Sequence, residues 1–76
     1  MERLFSTNIS IDNKNVVYGV FSDQGKYVFL PEANDPEFKG FSFQHQNGQW
    51  QDLELIAPEL KKQAMDALDK YLLTQH

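Results

Sequence analysis

Through most of the chain apolar and polar side chains alternate, and near its C-terminus they recur at steps of three and four, so the pattern predicts strands followed by one helix. In residues 3–11, Phe5, Thr7, Ile9 and Ile11 share one face while Ser6, Asn8 and Ser10 take the other, as in a half-buried strand. Residues 16–22 and 26–30 are apolar on both faces, and Ser22-Asp23-Gln24-Gly25 separates them. Polar residues Asp12-Asn13-Lys14-Asn15 predict a tight turn centred on Asn13 and Lys14, because Asn tolerates positive φ. That turn sets Ile11 opposite Val16 and Ile9 opposite Tyr18.

Gly25 suits the left-handed position of a three-residue loop with a bulge, which places Ser22 opposite Lys26, Val20 opposite Val28 and Tyr18 opposite Leu30. In this register Val16, Tyr18, Val20, Val28 and Leu30 join Ile9 and Ile11 on a dry face. Phe21, Tyr27 and Phe29 lie on the other, where Phe29 crosses the bare backbone of Gly19, a known compensation for a strand glycine.

Two prolines and a glycine mark residues 31–40 as a loop, pinned by Phe38. Residues 41–45 and 49–55 then alternate on either side of Asn47-Gly48, a strong hairpin signal. A two-residue loop there would place His45 opposite Trp50 and mix polar with apolar partners. A three-residue loop, Gln46 to Gly48, sets Phe41 opposite Leu53 and Phe43 opposite Gln51, uniting Phe41, Phe43, Leu53 and Leu55. We take the second register, which turns Trp50 to the opposite face. Pro58 fits a first helical turn, and Leu60, Ala64, Ala67, Leu68, Tyr71 and Leu72 form one stripe over a helix at 58–74, with Lys62, Asp66 and Lys70 on its solvent side. The expected fold is α+β, an antiparallel four- or five-stranded meander sheet with one C-terminal helix packed on one face, forming a single domain over residues 1–76.

Composition narrows the function classes more than it names one. With 76 residues and no cysteine, the chain must be stabilised by packing or association rather than by disulfides or a thiolate metal cluster. Its net charge of −4 and scattered basic residues argue against nucleic acid as a partner. No run approaches a membrane span, and the N-terminus lacks the basic leader and apolar stretch of a secretory signal, so the expected location is cytoplasmic. Asn8-Ile9-Ser10 matches a glycosylation acceptor by chance in that setting.

Catalytic constellations are equally thin. Ser42, His45 and Asp52 are the only grouping that resembles a hydrolytic triad, but Ser42 and His45 are three apart and a regular strand sends them to opposite faces. Glu32, Asp35 and Glu37 lack the ligand spacing of a calcium loop, and Asp52 and Glu54 read as the polar side of a strand. Neither a Gly-rich phosphate cradle nor a metal or cofactor site is expected, and no enzyme activity. What stands out is Phe21, Tyr27, Phe29 and Trp50, which the chosen registers gather on the face away from the helix. Aromatic residues anchor interfaces, so these four form the candidate partner surface of a small non-enzymatic interaction domain, binding a protein or itself by this face or by a sheet edge. The alternative is a small-molecule binding domain with its ligand between the aromatic face and the 31–40 loop.

Overall fold

A computed structural model of the chain describes residues 1–32, 37–52 and 56–74. Its elements are β1 (Glu2–Ile11), β2 (Lys14–Asp23), β3 (Lys26–Pro31), β4 (Phe41–Gln46), β5 (Gln49–Asp52) and α1 (Pro58–Thr74). The strands form one antiparallel sheet in the order β1-β2-β3-β4-β5, with the C-terminal helix against it, which is the α+β meander expected from the pattern.

All three hairpins close through two-residue loops, and this detail corrects the expected registers. Asp12 and Asn13, Gln24 and Gly25, and Asn47 and Gly48 each form a pair with positive φ. Two successive positive φ values define the type I′ turn, whose twist matches that of the flanking strands. In the first hairpin the turn sits one residue earlier than expected, because Asp and Asn both tolerate the left-handed region better than Lys. Ile11 therefore pairs with Lys14 and Ile9 with Val16. The displacement moves each partner by two positions, so every side chain keeps its expected face.

The second hairpin differs in a more consequential way. Asp23 pairs with Lys26, so Val20 faces Phe29, Phe21 faces Val28 and Gly19 faces Leu30. This one-residue slip exchanges the two faces of β3: Tyr27 and Phe29 turn to the core side, Val28 and Leu30 away from it. Asn47-Gly48 likewise makes the two-residue loop, pairing His45 with Trp50 and Phe43 with Asp52 in place of the expected three-residue register. Trp50 consequently shares the side of Phe41 and Phe43. The anticipated places of Leu53 and Leu55 lie outside the described residues.

The core occupies one face of the sheet. Ile9, Val16, Tyr18, Val20, Phe29, Phe41 and Phe43 are buried there with Ala64 and Leu68 of α1. Phe29 stacks on Phe41 at 5.0 Å between ring centroids and meets Phe43 edge-on at 5.8 Å, geometries that add to simple area burial. The helix begins as Pro58 predicts: the amide of Lys61 donates to the Ala57 carbonyl at 3.1 Å, making Ala57 the cap and Pro58 the first helical residue. It runs antiparallel to β1, with Gln63 beside Ser10 and Tyr71 stacked on Phe5 at 4.7 Å.

Candidate functional site

The four aromatic residues expected to form one surface are separated by the sheet. Phe29 is fully buried in the core, so it offers no surface to a partner. Tyr27 and Trp50 are half-buried on the same side, their rings edge-on at 5.4 Å, and His45 stacks on Trp50 at 4.4 Å. Phe21 alone lies on the opposite face, beneath the guanidinium of Arg3 at 5.8 Å from the ring centroid. The correction follows directly from the two-residue turns, which reverse β3 and β5 relative to β2 and β4.

A different group is left on the face away from the helix. Val17 and Leu30 are 41% and 39% exposed, and Phe21 and Val28 are half-buried between them and polar neighbours. Gly19 lies beneath this group: a β-carbon there would meet Phe21 Cε1 at 3.1 Å, Arg3 Nη1 at 3.3 Å and Glu32 Oε1 at 3.4 Å. Arg3 pairs with Glu32 and donates to Ser6 Oγ at 2.5 Å, while Ser6 Oγ donates to Glu32 at 3.3 Å. Because both charged partners are substantially exposed, this cluster contributes at most about 1 kcal/mol and mainly roofs the glycine.

The edge of the sheet holds a second feature that sequence reasoning missed. Ser10 of β1 donates its amide to Gln63 Oε1 at 2.8 Å, and its carbonyl accepts from Gln63 Nε2 at 3.0 Å. The side-chain amide thus pairs with a strand residue as a neighbouring backbone would. Main-chain groups in an antiparallel ladder alternate between inward and outward, so Asn8 and Ser6 turn theirs outward as Ser10 does, with a register shift at Leu4 ending the alternation. Nothing in the spacing of Gln63 distinguishes it from any other polar helix residue, so no sequence signal marked it.

Beside this edge runs a shallow cleft of about 290 Å³ between β1 and the second half of α1, lined by Phe5, Ser6, Thr7, Ala67, Lys70, Tyr71 and Thr74. Its floor is apolar, Phe5 against Tyr71, and among the described residues that line it Lys70 alone carries a formal charge. A second cavity, about 250 Å³, lies at the other end of the helix between Ile11, Tyr18, Phe41, Ile56 and Leu60 and the chain at Glu37–Gly40. Tyr18 donates its hydroxyl to the Lys39 carbonyl at 3.1 Å, and burial pushes its pKa above the ordinary phenolic value.

Among the described residues, those weighed for catalysis and metal binding are not brought together. Ser42 pairs with Val28 and His45 with Trp50, on opposite faces of β4. Glu32 is held by Arg3, Glu37 lies 3.5 Å from Lys14, and Asp35 is outside the described residues. Among the described residues no group of three or more His, Asp or Glu side chains could hold a metal ion, and no helix is long and apolar enough to cross a membrane. Comparison with known proteins finds no matching family model, no matching curated protein and no matching solved structure.

Proposed function

We propose that this chain is a small non-enzymatic interaction domain that takes an extended segment of a protein partner onto the β1 edge. The observation that carries this reading is the pairing of Ser10 with the Gln63 amide. It displays the edge accepting a strand-like hydrogen-bond partner at one residue, while Asn8 and Ser6 present the same outward groups with a cleft beside them. Strand addition draws affinity from main-chain hydrogen bonds and specificity from pockets for alternate side chains, and both elements lie side by side here. The exposed Val17 and Leu30 on the far face leave room for wider contact.

The test is a replacement that removes one outward donor. Proline is tolerated in edge strands where its missing N–H faces solvent, so Asn8→Pro should fold, as circular dichroism would verify. A partner captured by the unaltered chain and lost with Asn8→Pro supports strand addition. A partner retained equally by both would count against it.

The second reading is a small-molecule site in the cavity over Tyr18. Its support is the apolar wall of Ile11, Phe41, Ile56 and Leu60 facing the Tyr18 hydroxyl and the polar Glu37 and Lys39, although 250 Å³ lies just below the usual range of ligand pockets. Bound fragments that shift the resonances of Tyr18 and Phe41, leaving Ser6 and Asn8 unmoved, would favour this reading over the first.

A further inference from the structure

The cleft beside β1 has a chemistry that narrows the partner, given the strand-addition reading on which this step rests. A peptide paired with Ser6 and Asn8 projects alternate side chains to the two sides of the sheet, and one set enters the cleft against the helix. There the first contact is the apolar floor, Phe5 stacked on Tyr71 with Ala67 alongside. The second is Lys70, which makes no ion pair among the described residues, and no carboxylate of a described residue lines the cleft. Asp66 and Asp69, its acidic neighbours on α1, are exposed and do not line the cleft.

We propose that the β1 cleft selects an extended peptide carrying an apolar side chain and, two residues away on the same side, a carboxylate. The apolar side chain lies over Phe5, Ala67 and Tyr71, and the carboxylate pairs with Lys70. Gln63 closes one end of the binding register by occupying Ser10, and the register shift at Leu4 closes the other, so the bound segment is short. Complementary charge at such a partly exposed site acts on specificity and on encounter more than on total affinity.

The experiment uses the full chain and three soluble seven-residue peptides of alternating Thr and Val, identical except for Glu, Gln or Lys two residues from a helix-facing Val. The Glu peptide should bind about fivefold tighter than the Gln peptide, the yield of one favourable exposed ion pair, and the difference should shrink as salt is raised. Lys70→Glu, a surface change outside the core, should reverse the order of the Glu and Lys peptides. Equal binding of all three, with Ser6 and Asn8 amides protected from exchange, would overturn the carboxylate preference and leave strand addition standing. No binding of any peptide would overturn both. A doubled mass in sedimentation with the same amides protected would show a second copy of the chain on the edge, which overturns the peptide assignment.

Discussion

The two faces of the sheet carry apolar residues in adjacent positions, yet only one face is closed. Phe29 is wholly buried, and Leu30, the next residue in the same strand, is 39% exposed. On the covered face Tyr18, Phe41, Phe29 and Phe43 form a connected set of rings with centroid separations between 5.0 and 5.8 Å. On the open face a single ring, Phe21, lies under Arg3, with Gly19 giving it room. Hydrophobicity does not separate these residues, since both groups are strongly apolar. Parity along the strand does, and parity is set by the turns.

The largest effect that tests this contrast is truncation of one ring on each face. Phe29→Ala should cost about 3–5 kcal/mol, as for other buried aromatic residues, against a total stability on the order of 5–10 kcal/mol for a chain of this size. Phe21→Ala, half-buried and bordered by solvent, should cost under about 1.5 kcal/mol. Urea unfolding followed by tryptophan fluorescence reports both. Equal losses would mean that the open face is closed in solution, by the chain itself or by association.

Two glycines whose β-carbons would meet side chains of the open face separate a backbone clash from a side-chain contact there. A β-carbon at Gly40 would lie 2.7 Å from Leu30 Cδ2 and 2.9 Å from the Phe29 carbonyl oxygen, and the carbonyl belongs to a strand that cannot shift alone. Gly40→Ala should therefore cost about 1–3 kcal/mol, in the range of overpacked sites. The added methyl at Gly19 meets only the ends of the Phe21, Arg3 and Glu32 side chains, on the open face. Thermal unfolding should find Gly40→Ala the more damaging of the pair. The reverse order would mean that the Phe21, Arg3 and Glu32 side chains over Gly19 yield less readily than the Phe29 backbone beside Gly40.

The sequence pattern carried the element types, the meander order and the helix at 58–74, because alternation and a 3.6-residue stripe both survive errors in turn length. What it did not carry was the choice between two- and three-residue loops. Gln24-Gly25 and Asn47-Gly48 each admit either; the first choice decides whether Phe29 or Leu30 points inward, and the second decides the side of Trp50. The first hairpin was forgiving, since moving its turn by one residue left Ile9 and Val16 on one face. For the candidate site the cost was greater. The expected aromatic surface depended on two registers at once, and the edge clamp of Gln63 depends on a contact between residues 53 positions apart that no local pattern encodes.

The smallest expected effect bears on the turn that creates the contrast. Gln24 holds φ at 50°, a conformation that costs an ordinary side chain about 1–2 kcal/mol, and Gly25 follows at 83° with no atom within 4 Å of where a β-carbon would stand. Asn reaches this region more readily, and Asn-Gly is the preferred pair for a type I′ turn. Gln24→Asn should thus stabilise the protein by about 0.5 kcal/mol, roughly 2–4 °C in Tm, with no change in any packed contact. The gain acts through the pairing of Asp23 with Lys26, and that pairing turns Phe29 toward the helix. A loss of stability on Gln24→Asn would indicate a loop of different length, and with it an exchange of the two faces of β3.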